Sequence, residues 1–412
     1  MKEKLNFGII GLGGRGRNLT RDTLVNMPDV NIVAICDVYE DRCEEVAKIV
    51  EDAGRPRPRV STNYHDILAM DDVDTVLITA AWETHIRISC EAMRAGKAVG
   101  FEVGGCYAIE DCWQLIHTHE ETGMPCAMLE NSCFDRDELM VLNMVRQGLF
   151  GEIVHCEGGY RHDLRHEVSR GRENRHYRFR NYLNRCADNY PTHDLGPISS
   201  ILDINHGNRI LSLVSMASKS CGLHDFILAD KGRDYDAADF HFAQGDVVTT
   251  ILKCAHGETI TLTLDTTLPR YYSRCFQVQG TKAMYEEENR SICTEKEAAF
   301  EREHEGELNW REYWGNADEY HKDYDHPLWK KFLDDGVQGG HGGCDWLEFR
   351  NFVENVKRGR SGPVDVYDAA TWIAVTTLTE QSIAMGGMPQ VMPDFTSGRW
   401  ISRPKWNPVV ED

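Results

Sequence analysis

Leu5-Asn-Phe-Gly-Ile-Ile-Gly-Leu-Gly-Gly-Arg-Gly16 is an apolar run that enters a glycine-rich turn and opens a helical pattern. Gly11, Gly13 and Gly16 fall into the spacing G-x-G-x-x-G. A second apolar run, Ile32-Val-Ala-Ile-Cys-Asp37, ends on an acid 21 residues after Gly16. Strand, glycine turn, helix, strand and acid together form the context of a dinucleotide-binding βαβ unit. In that context Gly11 permits the turn, Gly13 lets backbone approach a pyrophosphate, and Gly16 allows helix and strand to pack closely. The helix start adds amide donors and the positive end of its dipole. Asp37 would accept hydrogen bonds from an adenosine ribose and repel a 2′-phosphate. NAD is therefore favoured over NADP, with nearby Arg42 working against that preference.

Outward from this unit the same rhythm continues. Leu5–Ile10, Asn31–Cys36, Thr75–Thr79 and Ala98–Glu102 are short, apolar and bounded by turn signals, as buried strands are. Val38–Asp52 and His85–Ala95 between them have helical spacing, the latter stopped by Gly96. That alternation predicts a parallel sheet with crossover helices. Asp135 stands at an N-cap position, and Arg136–Gln147 reads as a helix ending at Gly148. From Gly151 strand candidates follow one another: Ile153–Tyr160, Ile210–Ala217, Asp246–Cys254, Thr259–Thr267 and Ser273–Gly280. Several alternate polar with apolar, as in an antiparallel sheet with one wet face. Helical spacing returns over Asp345–Val356 and Val366–Ala384. The expected fold is α/β: a Rossmann domain over residues 1–150, then an α+β domain with an open, mostly antiparallel sheet over 151–412. The C-terminal segment of the second is free to pack back on the first.

Composition narrows the function. The 412 residues hold 66 acids against 45 Lys and Arg, a formal charge of −21, which is the wrong sign for a general nucleic-acid binder. No run reaches the length of about 18 apolar residues that a membrane helix needs, and the N-terminal stretch does not read as a signal peptide. Fourteen cysteines scattered from Cys36 to Cys344 form no C-x-x-C pair, so reduced thiols in a cytoplasmic protein are expected. His162 and His166 have i, i+4 spacing without a third ligand, and no metal is expected. There is no G-x-S-x-G segment for a serine hydrolase, and 66 carboxylates single out no glycosidase pair.

More specific segments follow. Thr79-Ala-Ala-Trp-Glu-Thr-His85 and Glu91-Ala-Met-Arg-Ala-Gly-Lys97 resemble the glucose–fructose oxidoreductase and inositol dehydrogenase superfamily. There the next strand usually ends in Glu-Lys-Pro, whose lysine assists hydride transfer at a sugar hydroxyl. Here the corresponding residues are Glu102-Val103-Gly104, without lysine or proline. That departure resembles one branch, the NAD-dependent glycosidases of glycoside hydrolase family 109, of the α-N-acetylgalactosaminidase type. Met128-Leu-Glu-Asn131, Leu142-Asn-Met-Val-Arg-Gln-Gly-Leu-Phe-Gly-Glu152 and Glu157-Gly-Gly-Tyr-Arg-His-Asp-Leu-Arg165 are similar to that branch. So are Asn189-Tyr-Pro-Thr-His-Asp-Leu-Gly-Pro197, Tyr272-Ser-Arg274, Gly340-His-Gly-Gly343 and Asp365-Val-Tyr-Asp-Ala-Ala370.

The resemblance implies hydrolysis of a glycoside through transient oxidation. Hydride leaves C3 of the sugar for NAD, and the ketone acidifies the C2 hydrogen. Loss of that proton expels the C1 substituent, water adds, and C3 is reduced again. By the same resemblance His193 is the base for the C3 hydroxyl, a role that suits an imidazole near neutral pH. Tyr160 and Tyr272 serve the C2 proton and the enolate oxygen. A phenol titrates near ~10, so either tyrosine acting as base needs a cation beside it. Arg161 and Arg274 are the adjacent candidates in sequence. Glu130, Tyr190, Arg161 and His341 are implied on the substrate side, with a simple flexible turn between glycine pairs as the other reading of His341. The cofactor side takes Gly11, Gly13, Gly14, Arg15, Gly16, Asp37, Arg42, Thr79, Trp82, His85, Glu102, Val103 and Asn131, although Trp82 and Trp113 also read as packing groups. The rival readings are a sugar dehydrogenase that releases NADH, and a sugar or NAD sensor without catalysis. A homo-oligomer is expected, because an open sheet face needs covering.

Charge is uneven along the chain. Arg161–Arg185 holds eight arginines against three acids, while Glu286–Asp325 holds 14 acids against five bases. The basic island is either a loop for an anionic sugar or aglycone, or a subunit contact or solvated face paired with acids.

Overall fold

The computed structural model describes residues 3–104, 106–303 and 310–410. The chain divides into two compact units, Met1–Asp135 with Lys330–Ala374 and Trp406–Asp412, and Arg136–Trp329 with Val375–Lys405. This differs from a division at residue 150, because strand rhythm marks where local pattern changes and contacts decide which core a segment joins. The helix Arg136–Arg146 packs on the helices Thr192–Ile201 and Ala317–Tyr324 of the second unit. Its Arg136 forks onto Asp325 at 3.0 and 2.5 Å. Residues 330–374 return to the first unit, where Phe349, Phe352 and Val353 of the helix Cys344–Lys357 enter its core. Phe352 meets Phe7 edge-on, with ring centroids 6.3 Å apart.

The first unit holds six strands: β1 (Leu5–Ile10), β2 (Val30–Cys36), β3 (Arg59–Ser61), β4 (Thr75–Ile78), β5 (Ala98–Glu102) and β6 (Cys126–Leu129). They pair in parallel in the order β3-β2-β1-β4-β5-β6. The order reverses between β1 and β4, where the carboxyl ends of such sheets hold ligands. Strand and helix bounds lie within two residues of expectation for β1, β2, β4, β5 and the helices Glu40–Asp52 and His85–Arg94. β3 and β6 were not anticipated; with three and four residues they are too short to show a period.

The second unit holds β7 (Ile153–Arg161), β8 (Ile210–Ala217), β9 (Val247–Cys254), β10 (Thr259–Asp265), β11 (Gln277–Gly280), β12 (Ala283–Glu286), β13 (Ser291–Thr294) and β14 (Gln390–Val391). Their order is β13-β12-β11-β7-β10-β9-β8-β14, and the only parallel pair among them is β7 with β10. The strand expected over 273–280 is broken: Ser273 bridges Arg161, and regular pairing begins at Gln277. The pleat sorts β7 into two faces. Cys156, Gly158 and Tyr160 stand in register with Ile260, Leu262 and Leu264 on the covered face. Glu157 stands in register with Thr261, and Thr261 with Ile251, on the open face. The helix Thr192–Ile201 covers β7, and only a glycine at 158 admits it, since a Cβ there would lie 2.6 Å from the Asp194 Cβ. Among the described residues no helix is long and apolar enough to cross a membrane.

Candidate active site

In the first unit the glycine turn divides into close-packed and open positions. Gly11 has φ +96°, and a Cβ there would run into the backbone of Ala80. A Cβ on Gly16 would strike the Gly11 carbonyl oxygen and Thr79 Oγ1, and Thr79 Oγ1 itself donates to that carbonyl. Around Gly13 and Gly14 the space is open: the nearest neighbour of a Gly13 Cβ would be Arg42 Nη1 at 3.7 Å, and Gly14 has none within 4 Å. These two start the helix Gly14–Asp22, whose first turn carries no acid. The turn thus has the room and the amide donors that a pyrophosphate requires, and the residues fit NAD. Asp37 closes the turn from the end of β2. Its Oδ2 accepts from the Leu12 amide at 2.7 Å and its Oδ1 from the Tyr39 amide at 3.0 Å. Arg42 Nη1 lies 3.7 Å from Oδ2, with the guanidinium 4.9 Å over the Tyr39 ring.

Arg15, in the first helical turn, is the hub of a buried charge cluster. Its Nε donates to Glu102 at 2.8 Å, and its fork holds Asp345 at 3.0 and 3.1 Å. Asp345 also accepts from Asn131 Nδ2 at 2.8 Å and lies 2.8 Å from His341 Nδ1. Burial pushes the Asp345 carboxyl up, but the His341 bond and the Arg15 charge outweigh it and hold the group far below the carboxylate range. Burial wins at Glu348, one helical turn on, whose two carboxylate oxygens have no hydrogen-bond partner among the described residues; it is pushed well up, with Glu102 adding to the shift. Asp345 and Glu348 escaped sequence reading, although two acids three apart on an otherwise apolar helix face are a signal.

Other expected residues of this unit serve the packing. His85 is buried with Nε2 on the Ala80 carbonyl at 2.9 Å, and burial lowers its pKa to about 4, so the ring is neutral. Trp82 lies under Gly104, where a Cβ would collide with the indole, and Val103 is buried as well. Trp82, His85 and Val103 expose almost no surface and shape the loops after β4 and β5. Glu130, expected on the substrate side, is wholly buried, and its Oε1 accepts from the Ser132 amide and hydroxyl at 3.1 and 2.8 Å.

In the second unit the expected catalytic groups come together. Tyr160 leaves the covered face of β7, and its ring centroid lies 4.3 Å from Tyr190, 5.5 Å from His193 and 6.3 Å from Tyr272. Tyr190 and His193 are 4.8 Å apart and perpendicular, brought together by the turn into the helix Thr192–Ile201. The Tyr190 amide donates at 3.3 Å to Asp188, a carboxyl that burial raises to about 7.

The cation beside these rings is Arg178, which neither motif nor spacing pointed to. It is buried, donates to Glu167 at 2.7 Å, and lies 5.2 Å over the Tyr190 ring. Burial raises the Tyr160 phenol, and the Arg178 charge pulls it back down. Arg161 is a correction to expectation: one residue past Tyr160, it falls on the opposite face of the sheet and pairs with Glu288 at 3.1 Å. Arg274 pairs with buried Glu138 at 2.5 Å. Four more arginines of the basic island meet acids: Arg165 with Asp163, Arg170 with Asp230, Arg172 with Asp236 and Arg185 with Glu380. The reading of a face paired with acids fits these. The acidic strip touches the island at Glu288, while its residues 304–309 lie outside the described residues.

Residues 134–402 match the C-terminal domain of glycosyl hydrolase 109, and residues 5–129 match the NAD-binding Rossmann fold of an oxidoreductase family. The chain is 37% identical to an alpha-N-acetylgalactosaminidase from Tannerella forsythia, covering 97% of this chain and 88% of the relative. It is 38% identical to a glycosyl hydrolase family 109 protein from Stenotrophomonas maltophilia, covering 97% and 91%. Among solved structures, levoglucosan dehydrogenase in complex with NADH and levoglucosan is similar with TM-score 0.68 at 15% identity, over 95% of this chain and all of that one. Myo-inositol 2-dehydrogenase from Lactobacillus plantarum is similar with TM-score 0.66 at 16% identity, over 95% and 100%. At such identities the likeness shows the fold.

Proposed function

The chain belongs to glycosyl hydrolase family 109, an NAD-dependent glycosidase on a dehydrogenase fold, and from that premise we propose that it cleaves α-N-acetylgalactosaminides by oxidation at C3 and elimination across C1–C2. The observation that carries the reading is the cluster of Tyr160, Tyr190, His193 and Tyr272 around a buried arginine. When bound, NAD supplies a hydride acceptor at C3 that is restored within each cycle. Gly13, Gly14 and the following amides would hold its pyrophosphate, and Asp37 its ribose. His193 takes the proton of the C3 hydroxyl. Tyr160 takes the C2 proton, which the ketone has made acidic, and Arg178 favours the anionic phenol over the neutral one. Tyr272 donates to the enolate oxygen.

Fourteen free thiols suit a reducing compartment, which supports a cytoplasmic location. On the open sheet face Met216 is 60% and Ile251 48% exposed, which supports a homo-oligomer that covers them.

Incubation with a panel of aryl glycosides in deuterated water tests the reaction. Aglycone release without net NADH, with deuterium at C2 of the sugar, is the expected outcome. Stoichiometric NADH with an intact glycosidic bond would turn the assignment to a dehydrogenase, and no reduction of NAD by any sugar would turn it to a sensor.

A further inference from the structure

Tyr160 faces a difficulty as a base. Burial raises its pKa, and Arg178 offsets only part of that shift. A standing buried phenolate is costly, unless the phenol gives up its own proton as it receives another. The structure provides a recipient. His162 lies two residues beyond Tyr160, where the pleat returns the side chain to the same face. Its amide donates to the Asp265 carbonyl at 2.9 Å, which keeps it in line with β7. Its Nδ1 is 3.0 Å from the Tyr160 hydroxyl, and its ring stands edge-on to Tyr272 at 5.0 Å.

We propose that His162 is the proton acceptor behind Tyr160, a positioning and relay residue that acts on the sugar through the phenol. The inference rests on Tyr160 being the group at C2. As the C2–H bond breaks, its electron pair enters the enolate, and the proton binds Tyr160 Oη. The phenol's original proton passes to His162 Nδ1, leaving an imidazolium. Collapse of the enolate breaks the C1–O bond; the pair leaves on the aglycone oxygen, which takes a proton from water. The hydroxide so formed adds at C1, and Tyr160, its proton and that of the imidazolium having exchanged with solvent in the meantime, protonates C2 and is reprotonated by His162. Burial, with the nearby Arg178 charge, keeps the free ring neutral and so able to accept. Around it stand Arg178, Glu167, Asp163 and His193, with the phenols of Tyr160 and Tyr272. Glu167 and Asp163 favour the imidazolium once it forms; Arg178 and His193 oppose it.

The test separates this inference from the reading beneath it. In the NAD-loaded enzyme with a glycoside from the panel, His162→Gln should still bind NAD and oxidise C3, seen as transient absorbance of reduced nicotinamide. Deuterium exchange at C2 should fall on the order of 100-fold, and its acidic limb should vanish. Exchange within threefold of the parent, with that limb intact, overturns the relay. Retention of exchange by Tyr160→Phe instead overturns the assignment of Tyr160. Without any glycoside, ¹⁵N-histidine spectra of the parent and Tyr160→Phe should differ at His162 Nδ1, the atom that loses a donor. Identical shifts also overturn the relay, and His162→Asn provides a second variant if the first does not fold.

Discussion

Arg178 turns a set of packed rings into a site that can handle protons. It is one of eight arginines in 25 residues, and at least five of the others lie in ion pairs with acids of the second unit. What distinguishes it is burial against Tyr160 and Tyr190, with Glu167 holding its fork. Arg178→Met removes the charge that pulls the Tyr160 phenol down, so that phenol moves further up. We expect kcat to fall on the order of 100-fold and the limb of kcat/KM set by Tyr160 ionisation to shift upward, as pH profiles of the NAD-loaded enzyme will show. An unmoved limb would mean that Arg178 does not act on Tyr160. His193, Tyr160 and Tyr272 were legible from sequence because motif segments carry them. Arg178 was not, since nothing local separates an arginine that points inward from its neighbours.

Between elements, the contact that matters most is the one between β7 and the helix Thr192–Ile201. The helix carries His193, and β7 carries Tyr160. Gly158 lets them approach: its Cβ would lie 2.6 Å from Asp194 Cβ and 3.0 Å from Ile198 Cδ1. Gly158→Ala therefore drives the helix off the strand and His193 off Tyr160. Overpacking of this kind costs about 1–3 kcal/mol, so thermal melts should show a lower Tm, and kcat should drop without loss of NAD binding. A variant with parental kcat would show that the helix position is not critical. The long elements were readable in advance, and Val366–Ala384 was read to the residue, because it runs unbroken by glycine or proline. β3, β6, β12, β13 and β14 are two to four residues long and display no period.

Across the whole molecule the charge of −21 conceals an internal pairing. The basic island faces acids, and the open sheet face carries Met216 and Ile251 where a solvated sheet would carry polar groups. Ile251→Lys places a charge in the middle of that face, and we expect sedimentation to show smaller particles than for the parent. An unchanged sedimentation coefficient would place the subunit contact elsewhere. By itself the sequence determined the Rossmann topology of the first unit, the mostly antiparallel character of the second, the cofactor and the family. Glycine spacing, hydrophobic period and motif segments are local properties, written in consecutive residues. The tertiary structure alone decided that Arg161 turns away from Tyr160, that Arg178 faces it, and that Asp345 and Glu102 hold Arg15. Burial and charge pairing arise between residues far apart in the chain, and only the folded contacts bring those partners within reach.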